Sequence, residues 1–301
     1  MQRKIIHLGT DTFVVSLPSV WVKHHKLKKG DNLEVEEAGP KLVVYPSSES
    51  KGSKIVVDVS GTRPMIKRIL GALYKAGYDE FEVRFETDEE FKSIKEVMGE
   101  FIGFEITESG RKSAIVRNIS HIITDEFGSI QRKMLFVILT MADDALAAAK
   151  SRDWERLQLL AAMDADVNRY ADFCRRILNT AGHRVVNRVP PSYYIVEQLE
   201  RIGDSYRDIC LYIGQKRFQV SKNLAEFYVK TTIFLREFQK VYYDFDTVKL
   251  TDFAKMHYEL LNEFNALLQS SGKTELPVLV LLRVAEGDMF DMNGALIAEK
   301  L

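Results

Sequence analysis

The stretch from residue 194 to residue 213 most constrains how this chain can fold. Its apolar residues recur at alternating spacings of four and three, which places them on one stripe of an α-helix: Ile195, Leu199, Ile202, Tyr206, Ile209 and Ile213. Three carboxylates, Glu200, Asp204 and Asp208, recur every four residues and fall on roughly the opposite face. The sequence therefore predicts a helix with one face for packing and another face lined with carboxylates.

The preceding helical segment carries a similar row of oxygen-bearing side chains. Asp164, Asn168 and Asp172 recur every four residues on the side away from its apolar stripe. If the two helices are antiparallel neighbours, like charges on the two rows repel unless a cation lies between them. Arg201 and Arg207 flank the later row and offer the other explanation, a polar face neutralised by the chain itself.

The sequence alone leaves both explanations open, and the more specific of the two is a metal site. The hypothesis is a divalent or ferric metal ion on the surface of the helical part, held by oxygen ligands from both rows: Asp164, Asp172, Glu200, Asp204 and Asp208. Because these carboxylates oppose the packing stripe, we expect an open site suited to regulation rather than to catalysis.

Residues 125–301 are predicted to be helical almost throughout. Short polar or Pro- and Gly-containing breaks make consecutive helices antiparallel neighbours, and the pattern divides into two three-helix repeats. The predicted segments are 125–150, 153–180, 190–216, 222–244, 247–270 and 275–300.

Residues 1–46 are predicted to form four short strands around one short helix that opens at Pro18. So few residues cannot bury a stable core, and pairing with a second copy in a homodimer is the economical solution. The apolar side chains left without cover are Phe13, Val15, Leu17, Val20, Trp21, Leu33, Val35 and Val43.

The charge of the chain is balanced overall but not locally. Lys and Arg number 42, Asp and Glu number 43, and the formal net charge is −1, so nothing global indicates nucleic acid. Before residue 30, however, Asp11 is the one acid against six bases, Arg3, Lys4, Lys23, Lys26, Lys28 and Lys29. This edge is either a reader of duplex phosphates or a solubilising Lys-rich turn.

A polar linker at residues 47–53 leads to residues 54–119, where the pattern predicts a small βαβαββ unit. This segment contains no Gly-rich phosphate loop and no Ser/His/Asp set, so it is either a spacer or a small-ligand sensor. The two cysteines, Cys174 and Cys210, lie in helical patterns and suit a reducing compartment. No apolar run approaches the length of a membrane span, so we expect a soluble, cytoplasmic protein.

Residues 3–46 resemble the SpoVT/AbrB DNA-binding fold. The resemblance rests on the run VSLPSVWVKHHKLKKGDNLEVEEAGPKLVVYP, with its helix-opening Pro, its Leu-x-x-Gly-Asp turn and its final strand pair. It implies a β-rich domain whose hairpins interleave, or swap, between two chains and which binds DNA.

Residues 125–301 resemble the PhoU family, whose domain consists of two three-helix repeats. The run from Glu200 to Asp204, Glu-Arg-Ile-Gly-Asp, is similar to that family's third-helix signature. The family's metal motif is an acid followed four residues later by Asp. Glu200 and Asp204 fit it, whereas on the second helix Asn168 replaces the acid expected after Asp164.

Together the two resemblances imply an α+β multidomain protein, similar to archaeal phosphate uptake regulators that join an AbrB-like domain to a PhoU bundle. The domains are expected at residues 1–46, 54–119 and 125–301. The implied function is non-enzymatic regulation of phosphate transport and phosphate homeostasis, at the level of transcription. The alternative is a protein-protein adaptor that docks a phosphate transporter ATPase or a sensor kinase and does not bind DNA.

Overall fold

The structure is a computed structural model that describes residues 2–9, 11–38, 41–46, 54–120 and 126–301. The chain divides into two compact units, residues 1–53 and residues 54–301. Among the described residues, every strand lies before residue 119 and every later element is a helix. The α+β class is therefore confirmed. The tip of the hairpin bend predicted at residues 38–40 and the polar linker at residues 47–53 lie outside the described residues.

The first unit contains two separate antiparallel strand pairs and one short helix. Gly30 has a φ of 97°, a left-handed conformation that suits glycine, at the predicted turn after the helix. The elements are β1 (Ile6–Leu8), β2 (Thr12–Val14), α1 (Ser19–His24), β3 (Leu33–Ala38) and β4 (Lys41–Pro46), with β1 paired to β2 and β3 paired to β4. Exchange of these hairpins between two chains stays a prediction.

The second unit begins with the predicted βαβαββ segment, which forms a four-stranded sheet of order β5-β6-β8-β7. Strand β5 is parallel to β6 and the other pairs are antiparallel. Helix α3 starts with a capping box between Thr87 and Glu90. The elements are β5 (Lys54–Asp58), α2 (Ile66–Ala76), β6 (Glu80–Arg84), α3 (Asp88–Met98), β7 (Phe104–Ser109) and β8 (Ser113–Asn118).

Seven helices follow where the sequence predicts six. The predicted helix 153–180 is wrong as a single helix, because it divides into α5 and α6. The helices are α4 (Phe127–Ser151), α5 (Trp154–Ala162), α6 (Asp164–Val185), α7 (Val189–Lys216), α8 (Lys222–Tyr243), α9 (Thr247–Ser270) and α10 (Leu276–Lys300).

The break between α5 and α6 lies at Met163, where the sequence has neither Gly nor Pro. The amides of Met163 and Asp166 donate three residues back, to Leu160 and Met163, which tightens the turn and interrupts the regular ladder. Helix α6 has a second irregularity at Ala181, with φ −142° and ψ 21°, where the sequence predicts its end. Local periodicity therefore identified the second irregularity and missed the first.

Helix α7 is the centre of the helical part. It contacts α4, α5, α6 and α10, and its predicted apolar stripe is buried along its whole length. Helix α10 also packs against α8 and α9, which joins the second three-helix group to the first. Among the residues that the structure describes, no helix is both long and apolar enough to cross a membrane.

The sheet segment and the helices form one compact unit, joined where α2 packs against α6. The Arg176 side chain is 1% exposed and donates to the carbonyls of Tyr74 and Tyr78 at 2.7 and 2.8 Å. It also donates to the carboxylate of Asp79 at 2.5 Å and lies over the ring of Phe104. This guanidinium therefore satisfies one carbonyl in the last turn of α2 and one just after it, from a neighbouring helix.

Candidate functional site

The two carboxylate rows lie on α6 and α7, and a glycine sets how closely these helices approach. A Cβ on Gly203 would stand 2.8 Å from Cγ1 of Val167 and 3.4 Å from Oδ1 of Asp164. The first of these distances is shorter than carbon atoms tolerate, so only glycine permits this approach. The glycine of the Glu-Arg-Ile-Gly-Asp run therefore has a packing role between the two rows.

Arg207 lies among the carboxylates at one end of the rows. Its Nη1 donates to Oδ2 of Asp164 at 3.0 Å and also contacts Oδ1 of Asp204. Its Nη2 donates to Oδ1 of Asp208 at 2.8 Å. One guanidinium thus joins three of the five predicted metal ligands, from both helices.

Arg175, which is 5% exposed, does the same at the other end. Its Nη1 donates to Oδ1 of Asp172 at 2.8 Å, its Nε donates to Oε1 of Glu197 at 2.6 Å, and its Nη2 lies 3.5 Å from Oε2 of Glu200. Nζ of Lys75, on α2, lies 3.3 Å from the same Asp172 oxygen. The five carboxylates therefore have internal cationic partners, chiefly two arginines.

Burial and pairing act in opposite directions on the pKa values of this cluster. Burial raises the pKa of Asp164 above its ordinary value, although the hydrogen bond from Arg207 opposes the shift. Burial likewise raises the pKa of Glu200, against the charge of Arg175. Burial alone would lower the pKa of Arg207, but its hydrogen bonds to Asp208 and Asp164 raise it, so the guanidinium stays charged.

The arrangement fits a guanidinium better than a metal ion at its centre. Among the described residues, no group of three or more His, Cys, Asp or Glu side chains is placed to hold a metal. Oδ1 of Asp164 is buried without a hydrogen bond, and a Cβ built on Gly203 would lie 3.4 Å from it. Binding of a metal would require Arg207 to move away, and the metal site stays a prediction.

The hypothesis that Arg201 and Arg207 neutralise the later carboxylate row holds for one of the two arginines. Arg207 neutralises the row as that alternative requires, but Arg201 does not, since its Nη2 lies 3.3 Å from Oδ1 of Asp288 on α10. The rows are also less open than expected. Asp164 is buried and the other four are half-buried, and the rows face α2 across a pocket of about 420 Å³.

Sequence reasoning missed a buried polar group between α9 and α10. Nδ1 of His257 lies 2.5 Å from Oε1 of Glu286, whose Oε2 accepts from Arg283 at 2.8 Å. The imidazole stacks on Phe290 with ring centres 3.7 Å apart. The i, i+3 spacing of Arg283 and Glu286 was the one available signal, because the partner on α9 is distant in the sequence.

The six cationic side chains assigned to DNA binding all lie in the first unit and are exposed: Arg3, Lys4, Lys23, Lys26, Lys28 and Lys29. Arg3 and Lys4 precede β1, whereas Lys26, Lys28 and Lys29 follow the end of α1. Lys26 has a φ of 54°, so the chain leaves the helix in a left-handed turn. Exposure permits contact with phosphates, and the role itself stays a prediction.

The chain matches a protein-family model and a solved structure, and no curated protein matches it. The structural match is the phosphate transport system regulatory protein PhoU from Streptococcus pneumoniae. The identity is 19%, the TM-score is 0.46, and the alignment covers 59% of this chain and 97% of that one. The family match runs from within α4 to within α7 and includes both carboxylate rows and Gly203: residues 132–213 match the PhoU domain.

Proposed function

We propose that this protein is a non-enzymatic regulator of phosphate transport and phosphate homeostasis that acts as a DNA-binding homodimer. The match of residues 132–213 to the PhoU domain carries the regulatory part of the proposal. In this proposal the helices receive the phosphate-status signal, and the first unit carries it to DNA.

The DNA-binding part rests on the first unit. Its six assigned cations are exposed, on a segment where acids are scarce. Five of the six are lysines, which act as point charges with little geometric selectivity, so contacts with the phosphate backbone are expected rather than base reading.

The homodimer is inferred from apolar side chains of the same unit that are exposed to solvent. Phe13 is 69% exposed, Val20 is 78% exposed and Val35 is 59% exposed. Two-stranded sheets with their apolar side chains in water are marginally stable at best. A second copy that interleaves its hairpins would bury these side chains and would double the cationic edge.

The second candidate function is an adaptor that docks a transporter ATPase or a sensor kinase. The PhoU match supports it equally well, because that match lies outside the first unit. In an adaptor the first unit dimerises and has no affinity for duplex DNA. Salt-dependent duplex binding therefore separates the two candidates.

The decisive experiment is a fluorescence-anisotropy titration of a labelled duplex with the full-length protein at several salt concentrations. We expect affinity to fall steeply as salt rises. Arg3→Ala with Lys4→Ala should weaken binding to all sequences alike. It should also reduce the slope of log affinity against log salt, by about one for each phosphate that the variant no longer neutralises.

The matched control is Arg111→Ala with Lys112→Ala, which removes another exposed Arg-Lys pair in the turn between β7 and β8. We expect this variant to bind as the wild type does. Absence of duplex binding by the wild type at low salt would instead assign the protein to the adaptor class.

The divalent or ferric ion at the carboxylate rows is the separate and weaker part of the proposal, since Arg207 competes with it. Metal analysis after dialysis of the full-length protein against candidate ions tests it. If metal binds there, Glu200→Gln with Asp204→Asn abolishes uptake and leaves the fold intact. A wild-type protein that retains no ion leaves the arginines as the only counter-charge.

A further inference from the structure

The pocket between α2 and the two carboxylate rows has the size of a small-molecule site. Its volume of about 420 Å³ lies in the range of ligand pockets, and polar surface dominates its lining. Three helices, α2, α6 and α7, meet there together with the turn that follows α3. It is therefore bounded by the sheet segment on one side and by the PhoU-matching helices on the other.

Cationic side chains converge on this pocket from both sides. Lys67, Arg68 and Lys75 come from α2, whereas Arg175 and Arg207 come from the helices opposite. The arginines opposite are committed to carboxylates, as described above. Lys67 donates to Glu100 at 2.8 Å and Nζ of Lys75 lies 3.3 Å from Oδ1 of Asp172, which uses one of the three donors of each ammonium group. The α2 side of the pocket therefore retains unused donors.

Among the cationic groups on α2, Arg68 is the one best placed to bind an anion. Its side chain is exposed to the pocket, and no hydrogen bond or ion pair joins that side chain to another described residue. A guanidinium binds phosphate oxygens through two parallel hydrogen bonds, which makes an unpaired arginine beside two lysines a suitable phosphate cradle.

Gly71 provides the space. It lies in the interior of α2, one turn from Lys67 and Lys75, and a Cβ built on it would meet no atom within 4 Å. Glycine is a poor helix former, and here neither a left-handed backbone nor a close neighbour requires it. The missing side chain leaves open volume on the pocket's α2 wall.

The opposite wall offers hydrogen-bond acceptors. Asn168, Glu200 and Asp204 line the pocket on the α6 and α7 side. Carboxylate and amide oxygens there accept from hydroxyl or amino groups. A ligand that matches both walls has an anionic phosphate at one end and hydrogen-bond donors at the other.

We propose that this pocket binds a small phosphorylated molecule, with its phosphate on Lys67, Arg68 and Lys75 and with hydroxyl or amino groups directed to α6 and α7. Such a ligand bridges the sheet segment and the helices beside Arg176, which already fastens α2 to α6. The proposal does not depend on a role in phosphate transport, because it concerns binding alone.

The test is isothermal titration of the full-length protein at low ionic strength with AMP, adenosine, inorganic phosphate and malonate. We expect AMP to bind, and adenosine and malonate to bind at least roughly tenfold more weakly, since they lack the phosphate. Equal affinity for AMP and inorganic phosphate also supports the site and identifies free phosphate as its ligand. No binding of either phosphate probe at millimolar concentration overturns the proposal, as does malonate binding as tight as AMP binding.

Variants locate the binding. Arg68→Ala should weaken AMP binding roughly tenfold or more, whereas Lys92→Ala, which removes a charge on α3 outside the pocket, should not. Gly71→Leu should block binding with an unchanged or raised Tm, because the new side chain enters open space in a helix. AMP affinity that is unchanged in both pocket variants places the nucleotide elsewhere and refutes the proposal. Affinity that persists in the Arg3→Ala, Lys4→Ala protein shows that Arg3 and Lys4 do not bind the nucleotide.

Discussion

The two units of this protein use apolar residues in opposite ways. Phe13 in the first unit is 69% exposed, whereas Phe81 in the second is fully buried, although both lie in strands. Helix α1 has no buried residue, while the apolar stripe of α7 is buried throughout. An apolar pattern thus shows which face requires cover, and the long-range packing of the chain decides whether the same unit supplies that cover.

Charged residues show the same contrast. The assigned cations of the first unit are exposed, whereas Arg175, Arg176 and Arg207 of the second unit are held by carboxylates or carbonyls of that unit. The second unit is therefore largely self-sufficient in both packing and charge. The first unit presents exposed apolar and cationic groups, and the proposed homodimer and DNA contacts would supply their partners.

The largest expected effect concerns the assembly. Phe13→Asp should dissociate the homodimer, because it would bury an unpaired charge in the expected interface. Phe136→Asp is the matched control, since Phe136 on α4 is equally exposed, at 69%. Sedimentation equilibrium of the full-length proteins measures the change. A wild-type protein that is monomeric at micromolar concentration would contradict this prediction. A dimer that only Phe136→Asp dissociates would contradict it as well.

The next prediction concerns the contacts of Arg176 that join α2 to α6 within the second unit. Arg176→Ala should lower the free energy of unfolding by about 3 kcal/mol, because two carbonyls and Asp79 lose a buried donor. Arg156→Ala serves as the control, since its side chain is 45% exposed, its partner Asp144 is 42% exposed, and its removal should cost under about 1 kcal/mol. Urea unfolding measures both. Equally small decreases would show that α2 and α6 associate without this arginine.

A smaller effect tests the close approach of α6 and α7. Gly203→Ala should cost about 2 kcal/mol, because the new Cβ meets Val167 at 2.8 Å. Gly294→Ala in α10 meets nothing within 4 Å and should stabilise the protein by about 0.5 kcal/mol. The difference between the two variants in urea unfolding is the quantity of interest. A tolerated Ala at position 203 would mean that the helices separate readily.

The smallest effect is a pH dependence in the sheet segment. Backbone amides of Glu86, Gly61 and Thr87 donate to Glu90 and hold its pKa below the ordinary value of 4.5. The stability that this carboxylate contributes is present above pH 4.5 and is lost as the pH falls through the lower folded-state pKa.

Glu90→Gln should therefore reduce stability at neutral pH and approach the wild type in acid. Glu89→Gln, at a neighbouring exposed position paired with Arg63, should change little at any pH. Thermal unfolding from about pH 7 to about pH 3 compares the three proteins. Parallel curves for Glu90→Gln and the wild type would show that the amide contacts do not depend on the charge.

Much of the local structure was predictable from the sequence. The bounds of α7, α8 and α9, the buried stripe of α7 and the succession of strands and helices in the sheet segment follow from periodicity and turn residues. The break at Met163 was not predictable, because no residue there disfavours a helix. The role of Gly203 was visible only as part of a motif, since its neighbour Val167 lies on another helix.

The sequence by itself determined which faces of the helices are apolar and which carry acids, because side-chain direction repeats with the local backbone geometry. The tertiary structure decided which cation meets which acid. Arg207 reaches Asp164 across a helix pair, Arg201 turns instead to Asp288 on α10, and Lys75 approaches Asp172 from the sheet segment. These contacts depend on how helices distant in sequence cross and how closely they approach. Periodicity along one helix contains no information about that crossing, so the pocket beside α2 appears only once the chain is folded.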